Sequence, residues 1–157
     1  RPHRDFRLVI VGSGPADYQA QLQQLATIYR VTDLISYLGW LPRERMPELM
    51  HTCHILLLPT VHREPFARVT LEAMAAGLAV VGTLTGGTGE ILQHEITGLA
   101  CAAGDSTDLA RQLGRLLDDP QLRYQLAGQG QETVLAHYTL DHMVEQIDVL
   151  LERAVTE

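Results

Sequence analysis

The sequence predicts an α/β domain: a mainly parallel sheet with helices on both faces, ending in several helices. Short apolar runs alternate with helix-length segments, the pattern of a sheet built from βα units. Most of the runs are rich in Val, Ile or Leu, as strands covered on both faces are. From Ser106 onward the pattern is helical only.

The first expected strand is Leu8–Val11, followed by the loop GSGPAD and a helix over Ala16–Tyr29. A second strand is expected at Leu34–Leu38 and a helix at Glu44–Thr52. The third strand, Ile55–Leu58, leads through a polar loop into a helix that starts near Pro65 and occupies Arg68–Ala76. The fixed φ and missing N–H of Pro65 suit a first helical turn. Gly77 is the stop signal for that helix. A fourth strand, Ala79–Gly82, is followed by TGGTGE and a helix over Gly87–Gln93, and a fifth is expected at Gly98–Cys101. Three helices complete the chain: Thr107–Leu117, Gln121–His137 after Asp-Asp-Pro, and Leu140–Ala154 after a Thr139 cap. No repeat, low-complexity segment or second domain is visible, so residues 1–157 read as one domain.

Composition narrows the functions. The 157 residues are 46% hydrophobic and 20% charged, which is globular, and no apolar run approaches a membrane span. The formal charge is -7, and all twelve basic residues are Arg. An acidic chain without a basic run is a poor electrostatic partner for nucleic acid or anionic membrane. Cys53 and Cys101 have no metal-type spacing, and two cysteines in apolar surroundings suit a reducing cytoplasm. The chain begins without Met and enters a strand almost at once, which reads as a piece of a longer protein.

Four motifs carry candidate chemistry. GSGPAD, Gly12–Asp17, has the strand-to-helix context of a dinucleotide-binding turn, but Asp17 stands where the third glycine of that fingerprint belongs. It is either a turn whose bare backbone meets part of a nucleotide or a plain βα turn. His51, Cys53, His54 and His62 cluster in sequence, yet HTCH straddles a helix end and a strand start and lacks a fourth ligand spacing; they read as structural or surface residues, and no metal is expected. TGGTGE, Thr85–Glu90, is either an anion-facing helix start or a flexible loop. Glu64 and Glu72 bracket the start of the third helix. Glu64 lies at the carboxyl end of a strand, where open α/β sheets bind ligands, and Glu72 lies among small and apolar neighbours, where a carboxylate needs a partner. Two acids with a helix N-terminus between them and a second, glycine-rich N-terminus next door would cradle a nucleoside diphosphate sugar; the alternative is a helix with one solvated and one bridged acid.

These motifs together resemble the carboxyl-terminal domain of the retaining glycosyltransferases of family four, the GT-B type. The resemblance rests on GSGP (12–15), YLGWLP (37–42), the E-x7-E of EPFARVTLEAMAAG, AVVGTLTGGTGEIL and GLACAAGD, and covers nearly the whole chain. It implies a Rossmann-like donor domain and hexosyl transfer from a nucleotide-diphosphate sugar, with no metal and no cofactor beyond that co-substrate. Glu64 would contact donor-sugar hydroxyls beside the anomeric carbon as the catalytic residue, with Phe66 and Ala67 meeting sugar and phosphate. Glu72 would hold the ribose hydroxyls. Leu41 would contact the base, with Gly12, Ser13 and Gly14 close by, and Gly86, Gly87 and Thr88 would lie near the phosphates or sugar.

The departures are Ala67 where the family has Gly, Ala79 where it has Pro, and Arg68, which either neutralises phosphate or faces water. The resemblance also implies an amino-terminal acceptor domain and an upstream strand and helix whose Arg and Lys grip the diphosphate; the chain reads as starting after them. It follows that the fragment alone would be inactive, with its sheet closed up as five strands or its edges paired in a dimer. A cytoplasmic protein is expected, reaching a membrane only through the absent domain. The competing readings are a nucleotide-sugar epimerase of related fold and a non-catalytic binding or scaffold module.

Overall fold

The computed structural model describes residues 6–63 and 65–156. The chain folds as two compact units, Arg1–Met46 and Pro47–Glu157, and each is described by itself.

The first unit contains β1 (Leu8–Val11), α1 (Ala16–Ile28) and β2 (Ile35–Gly39). The two strands pair in parallel from Leu8 opposite Ile35 to Val11 opposite Gly39, with an irregularity between Ile10 and Val11. The second strand lies one residue later than its apolar pattern suggests, because Thr32–Leu34 winds into a short 3-10 turn. The helix expected over Glu44–Thr52 is broken: Arg43–Arg45 forms a 3-10 turn and only Met46–Met50, α2, is α-helical. Pro47 supplies the reason, since it has no N–H to continue the ladder backward.

The second unit holds β3 (Ile55–Leu58), α3 (Arg68–Ala75), β4 (Ala79–Thr83), α4 (Thr88–Ile91), β5 (Leu99–Cys101), α5 (Ser106–Asp118), α6 (Pro120–His137) and α7 (Leu140–Thr156). Its sheet runs β3-β4-β5, all parallel. The central strand β4 is buried throughout. Ala79 and Val81 pack with Leu99 against Leu116, Leu126 and Ala127 of α5 and α6. Gly82 faces the other way, where a Cβ would lie 3.3 Å from the Leu92 side chain. Strands covered by helices on their faces are what a run such as AVVGT encodes.

Local side chains and turns fix the helix ends, among them the expected Thr139 cap and Gly77 stop. Asp105 caps α5 by accepting from Thr107 and Asp108, and Asp119 caps α6 by accepting from Leu122, with Pro120 as the first helical residue. The His142 N–H donates to Thr139 Oγ1 at 3.2 Å at the start of α7. Gly77, at φ +79, ends α3 in a Schellman motif: Leu78 N–H bonds the Ala73 carbonyl and Gly77 N–H that of Met74.

Besides α2, two helix boundaries differ from expectation. α3 begins at Arg68 rather than near Pro65, because Ala67 has φ −80 and ψ 79 and so stands outside the helix. α4 is one turn instead of Gly87–Gln93, because Leu92 turns extended and Thr97 Oγ1 accepts from Gln93 N–H while donating to the Ile91 carbonyl. The five strands also form a two-stranded and a three-stranded sheet rather than one closed sheet, since no ladder joins the two among the described residues.

Candidate functional site

In the second unit, the loops leaving the carboxyl ends of β3 and β4 are tied together. Thr83, the buried last residue of β4, donates from Oγ1 to the Thr60 carbonyl at 2.6 Å and lies 3.3 Å from Thr85 Oγ1. Gly87 packs on the other loop so closely that a Cβ there would lie 2.3 Å from the Pro65 carbonyl oxygen and 3.2 Å from the Phe66 ring. Only glycine fits, and the contact fixes PFA of one loop against GG of the other.

α3 starts on this junction. Ala67 is fully buried, Phe66 is 37% exposed, and the Ala67 carbonyl accepts from Thr70 N–H. The helix has no side-chain cap and no acid in its first turn, and its first residue is the exposed Arg68. The Arg68 and Thr70 N–H groups are already taken by the Phe66 and Ala67 carbonyls, so what this end offers an anion is the remaining first-turn N–H, the macrodipole and the Arg68 guanidinium. Glu72 is half-buried further along α3. Glu64 lies outside the described residues. The buried Thr70 Oγ1 and Gln129 Oε1 have no hydrogen-bond partner among the described residues.

The glycine loop after β4 differs from its sequence reading in electrostatics. Gly86 is exposed at φ +61, but Gly87 and Thr88 are buried. A one-turn α4 with Glu90 in that turn presents little net positive charge, because the macrodipole is a sum over aligned peptides and an acid offsets it. The anion-suited end in this unit is that of α3.

In the first unit, Gly12 N–H donates to the Gly39 carbonyl at 2.8 Å, which joins the GSGP turn to the turn after β2. Gly12 at φ +126 and Gly39 at φ +66 hold backbones that side chains rarely adopt. Gly14 has neither a positive φ nor any atom within 4 Å of the place its Cβ would take. Ser13 and Gly14 are exposed, and Leu41 is half-buried just beyond Trp40. α1 also lacks a side-chain cap, but Asp17 sits in its first turn and accepts from Tyr18 N–H at 2.9 Å.

The histidines of the HTCH segment do not converge: His51, His54 and His62 are exposed and Cys53 half-buried, and among the described residues no three His, Cys, Asp or Glu side chains gather as metal ligands. The displaced titrations lie elsewhere. The Ala102 N–H and the Arg111 guanidinium hold Asp108 below the ordinary carboxylate value, and Arg115, 2.7 Å from Glu95, does the same there, helped by His94. Burial, with Asp108 and Asp105 adding repulsion, pushes the Cys101 thiol up. No helix among the described residues is long and apolar enough to cross a membrane.

The family described as "Glycosyl transferases group 1" matches residues 1–133, which include both glycine turns, the α3 start and the loop after β4. The chain belongs to the group 1 glycosyl transferases. Among relatives of this glycosyl transferase chain, N-acetyl-alpha-D-glucosaminyl L-malate synthase of Bacillus anthracis is 32% identical over 93% of the chain and 37% of the relative. Among solved structures, Anabaena Alr3699/HepE in complex with UDP superposes with a TM-score of 0.88 at 27% identity, over 96% of the chain and 42% of that protein. Sucrose-phosphate synthase of Thermosynechococcus elongatus gives 0.82 at 26% identity, over 96% and 39%. The glycosyl transferase fold is thus shared along almost the whole chain, and the chain spans about two-fifths of the length of these proteins.

The tie between the loops after β3 and β4 was not legible in the sequence. Its members look like an ordinary strand-end Thr and one of two adjacent glycines, and only the fold reveals that Gly87 has no room for a side chain.

Proposed function

We propose that the chain supplies the donor site of a retaining, metal-independent hexosyltransferase that uses a nucleotide-diphosphate sugar. The observation that carries this is the α3 start: an amino end without a side-chain cap, with no acid in its first turn and Arg68 as its first residue, beside a glycine loop packed onto it through Gly87. Such an end attracts a diphosphate, whose charge grows as it leaves. One solved relative of the same fold, Anabaena Alr3699/HepE, is in complex with UDP and with UDP-glucose, which supports a nucleotide-sugar donor.

In this reading the Phe66–Ala67 backbone meets sugar and phosphate, Gly86, Gly87 and Thr88 border them, and Glu72 takes the ribose hydroxyls. Leu41 and the Gly12–Gly14 turn serve the base. Because Gly87 and Thr88 are buried, Gly86 offers the more accessible backbone of that loop. Glu64 binds sugar hydroxyls and positions the anomeric carbon. Retention puts the acceptor on the face the phosphate leaves, which leaves little room for a protein nucleophile, so positioning is the role that fits. The acceptor site, and the Arg and Lys that close on the diphosphate, come from outside these 157 residues, and the protein works in the cytoplasm.

The test is kinetic and is made on the full chain. Glu64→Ala is expected to lower turnover by about a hundredfold or more with the fold intact. Glu72→Ala is expected to weaken nucleotide-sugar binding by about tenfold or more, the scale of a hydrogen bond to a charged group. Unchanged kinetics in both variants would sink the assignment.

A further inference from the structure

The backbone ladder between β3 and β4 ends at Leu58 opposite Gly82. Thr83 is the next residue of β4, and its side chain carries the connection one step further: Oγ1 donates to the Thr60 carbonyl at 2.6 Å. The carboxyl ends of parallel strands are where an open α/β sheet takes a ligand, so this bond sits where the two bordering loops begin.

Thr83 differs from the other buried threonines of this unit whose bonding is clear. The Thr97 hydroxyl bonds within its own turn, to Gln93 N–H and the Ile91 carbonyl, and that of Thr70 has no partner among the described residues. Thr83 reaches across from a strand to another loop, and it is firmly anchored, being 2% exposed and paired with Cys101 in the β4–β5 ladder. Its proton is committed. A hydroxyl has one hydrogen, which at 2.6 Å goes to Thr60, so Thr85 Oγ1 is the donor in the contact 3.3 Å away. That second contact is long for a hydroxyl pair, and the strong bond is the one that crosses between the loops.

The packing at Gly87 works in the opposite sense. A Cβ there would lie 2.3 Å from the Pro65 carbonyl oxygen, so this contact limits how closely the loops approach, while the Thr83 bond limits how far they separate. Together they fix the gap between the Phe66–Ala67 backbone and the exposed Gly86. A ligand held from both sides depends on that gap, since a misplacement of about 1 Å removes much of the benefit of positioning.

We propose that Thr83 is a positioning residue of the donor site: its hydroxyl sets the spacing of the two loops that border the sugar and the diphosphate. The inference rests on the donor-site reading above and adds a residue that acts through the loops rather than by touching the donor.

The experiment is calorimetry on the full chain and its Thr83→Val and Thr83→Ser variants with UDP, GDP, ADP and the matching nucleosides, alongside urea unfolding of each protein. Valine keeps the shape and leaves the Thr60 carbonyl unpaired; serine keeps the hydroxyl. The nucleoside diphosphate that the wild type prefers should bind Thr83→Val about tenfold more weakly, the scale of one hydrogen bond. Its nucleoside, whose base and ribose are held elsewhere in this reading, should bind both proteins alike. Thr83→Ser should regain the diphosphate affinity even where the missing methyl lowers its urea midpoint, whereas a merely structural role would make affinity follow stability. Equal diphosphate affinity in wild type and Thr83→Val, a loss shared by the nucleoside, or serine no better than valine overturns the Thr83 assignment and leaves the donor site standing. If Thr83→Val does not fold, serine decides: wild-type affinity despite a lower midpoint supports the assignment, and affinity falling with the midpoint overturns it. Absence of binding of all three nucleoside diphosphates to the folded wild type overturns the donor-site reading and the inference with it.

Discussion

α1 and α3 begin with the same local device and end with opposite electrostatics. Each follows a parallel strand and a loop, and neither has a side-chain cap. At α1 an acid occupies the first turn and the preceding glycines face open space; at α3 there is no acid, the first residue is Arg68, and the flanking loop is pinned by Gly87. A free helix end is therefore not a site by itself. Its first-turn charges and the room around it decide what it can hold: the acid at the α1 start disfavours an anion, and the guanidinium at the α3 start favours one.

The two glycine loops give the strongest test of that contrast. Gly87→Ala drives a methyl into the Pro65 carbonyl, 2.3 Å away, and backbone cannot rotate aside as a side chain does. A loss of about 1–3 kcal/mol is expected in urea unfolding, the range for overpacking, together with loss of nucleotide-sugar binding. Gly14→Ala meets no atom within 4 Å. The fold should stay as stable or gain up to about 1 kcal/mol from a less flexible unfolded chain, while nucleotide affinity falls. Equal stability effects at the two positions would erase the distinction between a packed loop and an open one.

Much of this was legible in the sequence, and the failures share a cause. Strands were placed within a residue or so because four-residue runs such as LVIV and ILLL leave little choice of register. Thr139 and Gly77 act through neighbours on their own helices, and each behaves as read. The misplaced boundaries depend on contacts further off. α4 stops early because the Thr97 hydroxyl takes over Gln93 N–H, and α3 starts late because PFA is held against Gly87. Of the site, the residue types and their strand-end positions were readable, whereas the burial of Ala67, Gly87 and Thr88 was not, since a short motif does not say which way its chain turns.

A smaller effect separates packing from binding at the start of α3. Thr70 lies in the first turn, fully buried, and its hydroxyl has no partner among the described residues. Thr70→Val keeps the shape and removes the unsatisfied oxygen, so urea unfolding should show a gain of about 1 kcal/mol. Nucleotide affinity should hold, because the bond-making groups of this helix end are backbone N–H. A drop in affinity with the expected gain in stability would make the hydroxyl part of the site.

The smallest expected stability change bears most directly on the contrast. A guanidinium on the first residue of a helix opposes the macrodipole and costs about 0.3–1 kcal/mol at low salt; an acid in the first turn contributes about as much in the favourable direction. Arg68→Gln should therefore raise the stability of the ligand-free chain by that amount, and Asp17→Asn should lower it, both effects shrinking as salt is added. Binding should follow a different rule. If Arg68 faces the diphosphate, its loss weakens nucleoside diphosphates more than nucleosides, while Asp17→Asn treats the two alike. A gain in stability at Arg68→Gln with no such difference between the ligands would assign that guanidinium to solvent and leave the diphosphate to the backbone of α3 alone.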